Sequence, residues 1–454
     1  MQDLIVRLKK LDIKLSLDKD ELVIDAPKGV LTGELVKQLK EYKPEIIAYL
    51  KDRGRSPTMT IAKLKAKAVE AARNLPNKIV YQEKETSDRI ILLTGVTGFL
   101  GTFILRELLE QTKAEIYCLT RAKDTNSALT RIKENLRFYL LDKGIDFNRI
   151  KPLVGDLSKP NLGLTPEAHA HLAQNINTIY HNGALVHHAT PYHILEPTNV
   201  LGTLSILKLA CLEKIKPVHF ISTISVFNFD RTSNSLKVKE SYSIEKYHAP
   251  LGGYAQSKWV AERLVKIASD RGLPTTIHRI GPVSGSSKTG VFNQSDFLYR
   301  LILGYAKLGS APSGEMLLDI LPVDFVSQAI VCISQQPAAW GKAFHLIHEH
   351  PASSKLLFDR LNAAGYQIDR VEYQKWYERL ITIANNSQDH ILYPLVSLFS
   401  ASNSGEAQNK SFNLKFDCQN VVDGLAEFNY VCPAIDKELI DTYINHLQEQ
   451  NLLD

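Results

Sequence analysis

Eight consecutive residues limit what this chain can fold into more than any other feature. Thr94-Gly95-Val96-Thr97-Gly98-Phe99-Leu100-Gly101 leaves the apolar run RIILLTG and opens a stretch, Thr102 to Gln111, with the spacing of an amphipathic helix. Glycines three apart between a strand and a helix have separate tasks. Gly95 allows the tight turn, Gly98 lets backbone approach a pyrophosphate, and Gly101 lets the helix pack close to the strand, while the helix N-terminus faces the anion. The strand-loop-helix context separates this loop from a chance spacing of glycines. Gly95, Thr97, Gly98, Phe99, Leu100 and Gly101 are therefore the candidate contacts to a dinucleotide.

The middle of the chain repeats that unit. AEIYCLT, IKPLVGDL, NTIYHNGA, PVHFISTIS and PTTIHRIG are strand-length apolar runs with helical stretches such as Asn126 to Asp142 between them. Such alternation predicts parallel strands joined by right-handed crossovers, a Rossmann-like doubly wound α/β sheet over 89–284. Beyond about Gly285 the regularity fades into helices near Asp296–Leu308 and Val323–Ser334, a strand at AFHLIH and mostly helical sequence. Residues 285–454 read as a smaller, mainly helical C-terminal subdomain built against the sheet, with a return to the sheet near 318–347. At the other end, residues 1–53 read as a separate αββαα unit. Leu4, Ile5, Leu8 and Leu11 have helical spacing, Lys14 to Asp25 alternates as a hairpin, and two helices follow around Pro44. The Lys- and Ala-rich residues 54–88 read as a linker containing one helix.

Composition removes several function classes. Of 454 residues, 44% are hydrophobic and 23% charged, which is ordinary for a folded chain. Lys and Arg exceed Asp and Glu by 54 − 49 = 5, and the excess is spread along the chain, so neither nucleic acid nor a membrane surface is an expected partner. Five cysteines without a C-x-x-C pair suit neither a disulfide framework nor a zinc site. No run of 18 apolar residues occurs, and charge interrupts the start too early for a signal peptide, so the expected location is the cytoplasm.

Four further features carry chemistry. The second strand ends Leu119-Thr120-Arg121 with no acid to hold a ribose 2′-hydroxyl, and Arg131 lies on the next helix. Two guanidiniums suit a 2′-phosphate, which predicts NADPH over NADH. Asp156 and Leu157, in Val154-Gly155-Asp156-Leu157, stand where the adenine would lie, although a loop aspartate that merely shapes its own turn has the same sequence signature. Tyr254 and Lys258, at i and i+4 in Tyr254-Ala255-Gln256-Ser257-Lys258, share one helical face, where an ammonium lowers a nearby phenol's pKa and makes it a better proton relay. Thr223 closes the strand run Phe220-Ile221-Ser222-Thr223. His187-His188 and His348-Glu349-His350 lack a suitably spaced third ligand, so no metal is expected. Trp259, Phe227 and Tyr299 read as core aromatics before they read as the lining of an acyl channel.

From about residue 89 onward the chain resembles the thioester reductase domains of nonribosomal peptide and polyketide synthases and of carboxylic acid reductases, members of the extended short-chain dehydrogenase/reductase superfamily. The resemblance is carried by TGVTGFLG, the LTR strand end with R-I-K-E-N-L after it, GDLSKPNLGL, HNGALVHH, NVLGT, ISTISV, YAQSKWVAE and the ending from FDCQNVVDGL to HLQEQNLL. It departs at His278-Arg279-Ile280-Gly281, where the family commonly has Arg-Pro-Gly. The resemblance implies Thr223 and Tyr254 as donors to the reacting carbonyl oxygen and Lys258 as the group that tunes Tyr254 and holds the nicotinamide ribose. It also implies reduction of a carrier-bound acyl or peptidyl thioester to an aldehyde, or on to an alcohol. The first 53 residues, with A-P-K-G-x-L-T, resemble the tubulysin-synthetase-type docking domain. That likeness implies binding of the C-terminal segment of an upstream synthase subunit and homodimer formation. No carrier-type Ser motif is seen, so the acyl group is expected on a separate phosphopantetheinyl carrier protein. Two other classes fit part of the sequence: a dehydrogenase or epimerase acting on a diffusible small molecule, which the docking-like start and the tail disfavour, and a non-catalytic docking scaffold, which intact Thr223, Tyr254 and Lys258 disfavour.

Overall fold

The computed structural model describes residues 13–18, 21–26, 59–82, 90–187, 190–228, 237–386 and 415–453, with isolated positions between 35 and 47 and at 396 and 399. The expected first helix, over Leu4 to Leu11, lies outside the described residues. Strands β1 (Lys14–Asp18) and β2 (Glu21–Asp25) form the antiparallel hairpin that the alternation predicts, with Leu15 opposite Ile24. Ile13, Leu35, Leu39 and Ile46 are buried together as a small core of their own.

Seven parallel strands form the main sheet: β3 (Ile90–Thr94), β4 (Glu115–Thr120), β5 (Ile150–Val154), β6 (Thr178–His181), β7 (Val218–Thr223), β8 (Thr275–Ile280) and β9 (Ala343–Leu346). Their order is β9-β8-β7-β6-β3-β4-β5. The chain winds outward from β3 in one direction and then, from β6, in the other. The crevice beyond the carboxyl ends of β3 and β6 is thus the topological switch point, where open α/β sheets bind ligands. Both faces are covered. Leu92, Leu119, Phe220 and Ile277 point into one apolar layer, and Ile91, Leu93, Cys118, Ile221 and Ile280 into the other, the period-two alternation of a pleated strand. Helices α1 (Ile61–Ala72), α4 (Pro166–Asn175), α5 (Gly202–Cys211) and α6 (Gly253–Asp270) supply the first layer. Helices α2 (Phe99–Gln111), α3 (Thr125–Phe138), α8 (Val323–Ser334) and α11 (Gln419–Leu425) supply the second.

The C-terminal portion builds a third core. Helices α7 (Phe297–Leu308), α9 (Ser354–Ala363), α10 (Tyr373–Asn386) and α12 (Lys437–Glu449) enclose Tyr305, Leu361, Trp376 and Tyr443. Strand β9 from this portion pairs with β8 and forms one edge of the main sheet.

The stretch read as a linker differs from that reading in its described part. Residues 59–82 are packed against the sheet unit as a strap. Thr60 caps α1 by accepting from Lys63 N, and Leu64, Ala68 and Ala72, one turn apart, are buried in the layer that holds Trp259 and Leu264 of α6. The Arg271 guanidinium, just beyond α6, donates to the carbonyls of Ala72 (2.8 Å) and Leu75 (3.1 Å), and Ile79 N donates to Arg271 O (2.7 Å). Average composition suggests a tether here because the rest of α1 is rich in lysine, while two of the three residues of its buried stripe are alanines.

Candidate active site

The glycine loop is built by close approach. Gly95 has φ +72°, and a Cβ there would meet Gly183 Cα at 2.7 Å; a Cβ on Gly101 would fall 2.0 Å from Gly95 O. Thr102 Oγ1 donates to Val96 O (3.1 Å) and Gly98 O (2.9 Å), and Asn135 Nδ2 donates to Thr97 O (2.7 Å), so the loop is fixed from both sides. Gly98 is the N-cap of α2; no side chain caps that end and no acid lies in its first turn. The cradle and this uncapped, positively polarised helix end fit a dinucleotide pyrophosphate. The Phe99 ring packs against Phe103 and Tyr139, which leaves its backbone, not its side chain, for such a ligand.

Beneath the loop runs a buried hydrogen-bond chain. Gly183 N donates to Thr94 Oγ1 (2.9 Å), Thr94 Oγ1 meets His181 Nδ1 (2.8 Å), His181 Nε2 meets Thr203 Oγ1 (3.0 Å), and Thr203 Oγ1 donates to Asn199 O (2.7 Å). Burial, with a smaller push from Lys258, pulls His181 down to about 3. The ring is neutral, and the direction of the chain assigns its proton to Nε2.

Arg131 Nη1 donates to Arg121 O (3.2 Å), which brings both arginines to the end of β4, with Arg121 exposed. Asp156 Oδ1 accepts from Ser158 N and Oγ, both at 2.8 Å, so this carboxylate shapes its own turn at the end of β5. Leu157 is wedged between Gly183 and Gly202, where any Cβ would meet it within about 3 Å. That contact holds the Asp156 loop against the switch point.

Thr223 closes β7, and its Oγ1 accepts from Ser225 N (3.2 Å) and donates to Ser225 Oγ (3.2 Å). Tyr254 and Lys258 occupy the first turns of α6. Lys258 Nζ donates to Ile221 O (2.6 Å), two residues before Thr223, and stands 4.1 Å from the Phe220 ring centroid. Thr223, Tyr254 and Lys258 thus come from one strand end and the helix packed on it. Burial is the largest influence on both groups. Burial pushes the Tyr254 phenol up to about 12 and pulls Lys258 down to about 7, with Glu262 opposing the latter, so desolvation dominates any help the lysine gives the phenol.

Sequence reasoning missed Asn199, Ser222 and Glu262. Asn199 Nδ2 donates to Ser257 Oγ (2.9 Å) and to Leu185 O (3.1 Å), while its Oδ1 accepts from Leu185 N (2.7 Å), tying α6 to the loop after β6. Only the i, i+4, i+8 row Tyr254, Lys258, Glu262 was available as a signal in the sequence. Trp259 and Tyr299 are buried core residues, and Phe227 lies under the Arg279 guanidinium at 4.8 Å. His187 Nδ1 meets Thr190 Oγ1 (2.8 Å), His348 Nε2 meets Pro433 O (3.0 Å), and His188 lies outside the described residues. Among the described residues there is no group of three or more His, Cys, Asp or Glu able to hold a metal, and no helix long and apolar enough to cross a membrane.

Residues 93–330 match the family model described as male sterility protein, and residues 1–52 match the TubC N-terminal docking domain. A linear gramicidin synthase chain of Brevibacillus parabrevis is 36% identical over 373 residues, which cover 81% of this chain and 7% of that protein. The L-2-aminoadipate reductase of Saccharomyces cerevisiae is 31% identical over 413 residues, covering 84% of this chain and 29% of that one. The chain therefore spans less than a third of either relative. Among solved structures, the terminal R domain from the myxalamid PKS-NRPS pathway is 37% identical with a TM-score of 0.77, covering 86% of this chain and 98% of that domain. The reductase (R) domain of a nonribosomal peptide synthetase from Mycobacterium tuberculosis is 25% identical with a TM-score of 0.70, covering 87% and 99%.

Proposed function

The chain belongs to the family of terminal reductase domains of nonribosomal peptide and polyketide synthases, and from that premise we propose that it releases a carrier-bound acyl or peptidyl thioester as an aldehyde at the expense of NADPH. The observation that carries this reading is that Lys258 of α6 donates to Ile221 O, two residues before Thr223, so that the end of β7 and the first turns of the helix bearing Tyr254 and Lys258 meet. The nicotinamide, when bound, supplies a hydride to the thioester carbonyl. Thr223 and Tyr254 then donate hydrogen bonds to the oxygen as its negative charge grows, an interaction stronger in the transition state than in the ground state, and the hemithioacetal formed breaks its C–S bond to give the aldehyde and the carrier's free thiol. The high resting pKa of Tyr254 keeps its proton in place to be donated, and Lys258 binds the nicotinamide ribose. Arg121 and Arg131 receive the 2′-phosphate and Asp156 the adenine. The two arginines at an acid-free strand end are the support for NADPH over NADH.

The division into a docking module (1–53), a linker (54–88), a cofactor domain (89–284) and a substrate and carrier subdomain (285–454) belongs to this proposal, with the linker's described part packed as a strap. The first module takes the C-terminal segment of an upstream synthase subunit along its hairpin edge, in the manner of strand addition, and pairs with a second copy. A cytoplasmic location follows from the carrier and NADPH it uses. Incubation with NADPH and an acyl-pantetheine thioester, followed by mass identification of products, tests the activity. Aldehyde or alcohol is the expected product, and the absence of both with NADPH consumption at background contradicts the proposal.

A further inference from the structure

Glu262 stands one turn beyond Lys258 on α6, and the proposed chemistry makes no use of it. Its side chain is 2% exposed, and that of its partner Arg279 on β8 is 5% exposed. The two carboxylate oxygens are divided between strands. Oε1 accepts from Arg279 Nε (3.0 Å) and Nη2 (2.8 Å), and Oε2 accepts from Ser222 Oγ (2.6 Å), the residue next to Thr223. Arg279 is held independently, since its Nη1 donates to Glu240 O (3.2 Å) and meets His345 Nε2 (3.1 Å) while the guanidinium lies on the Phe227 ring. An arginine fixed by these other groups cannot follow Glu262, so the carboxylate acts as a rigid strut between α6 and the end of β7.

We propose that Glu262 is a positioning residue for the reduction: through Ser222 it fixes the end of β7, and so the spacing between Thr223 and Tyr254, and its carboxylate is the counter-charge for Lys258. The proposal rests on the reading of those three side chains as the reacting ones. Among the described residues, the charged and titratable groups acting on Lys258 are Glu262, one turn on along its own helix, and His181 on β6, with Tyr254 one turn back on that helix and Arg279 behind Glu262; β7 presents the Phe220 ring and the Ile221 carbonyl. His181 is neutral, so Glu262 is the anion that favours the ammonium.

Two variants test this with the full chain, NADPH and an acyl-pantetheine thioester. Ser222→Ala removes one hydroxyl and leaves the Glu262–Arg279 pair intact. Its kcat is expected to fall roughly ten- to hundredfold, the scale of about a 1 Å misplacement, with KM and the NADPH dissociation constant within about twofold of wild type. Glu262→Gln is expected to move the alkaline limb of the kcat profile to lower pH, so that its loss is greater at pH 8 than at pH 6. A wild-type kcat in Ser222→Ala, or an unmoved alkaline limb in Glu262→Gln, overturns the proposal. Should Glu262→Gln not fold, Ser222→Ala decides alone. Failure of the wild-type chain to reduce the thioester is a separate result, which defeats the assigned activity itself.

Discussion

Burial sets the resting state of the residues at the proposed reacting centre, and it yields predictions that proximity alone would not. With Lys258 near 7, a step that needs its ammonium loses rate as pH rises through about 7, because the folded-state pKa lies below the usual value for lysine. A kcat profile with an alkaline limb there, abolished in Lys258→Ala, is the expected outcome. Tyr254→Phe removes one donor to the growing oxyanion and should cost about 10² to 10³ in turnover while NADPH affinity, read by fluorescence titration, stays near wild type. Arg121 is exposed, so solvent weakens its hold on a phosphate. Arg121→Ala should therefore weaken NADPH by about tenfold, roughly 1.5 kcal/mol, and leave NADH unchanged. An equal loss for both dinucleotides would assign Arg121 a structural role. At this scale the sequence is legible where a residue's task is local. The loop glycines, Tyr254 and Lys258 carry their meaning in spacing along one element. Ser222, Asn199 and Glu262 do not, because each is defined by partners on other elements.

Four histidines occupy four adjacent strands: His345 on β9, His278 on β8, His219 on β7 and His181 on β6. Burial pulls each to about 3, against about 6.5 when exposed in the unfolded chain. Their neighbours are suited to neutral rings. Thr276 Oγ1 lies 2.8 Å from His219 Nδ1 and 2.9 Å from His278 Nε2, and Arg279 meets His345. The sign of the linkage follows. The unfolded chain takes up protons at these sites as pH falls below 6.5 and the folded chain does not until about 3, so stability is full above 6.5 and declines across that window. The urea midpoint should drop steadily from pH 7 to pH 5, with up to four extra protons bound on unfolding; a flat midpoint would contradict neutral, buried rings at these four positions. Strands and helices were largely legible, since apolar period and turn residues mark them. Helix α2 nonetheless starts at Phe99, three residues before the expected Thr102, because the glycine loop itself turns directly into helix. The strap was not legible, because its buried stripe of Leu64, Ala68 and Ala72 resembles low-information linker sequence until α6 is seen beside it.

For the molecule as a whole, delivery of substrate is the property that the arrangement along the chain governs. Between the docking match ending at residue 52 and Met59, the first described residue of the strap, there are 59 − 53 = 6 positions. Six residues reach at most about 20 Å, so a partner held by the first module, as proposed, would stay near the reductase at a local concentration far above micromolar. Removing residues 1–52 should leave reduction of a small thioester intact and raise the carrier concentration needed for half-maximal rate, with kcat at saturation unchanged. Removing residues 1–82 instead uncovers the apolar face under Leu64 and Leu75 and should lower the melting temperature and yield. This placement of the strap also defines where modules can be exchanged. A chimera that joins a foreign docking module at residue 59 keeps every described residue of the strap, whereas one joined at 89, the boundary that motifs alone suggest, discards the helix that supports α6. Synthase engineers who swap subunit connections should find activity retained in the first design and lost to misfolding in the second.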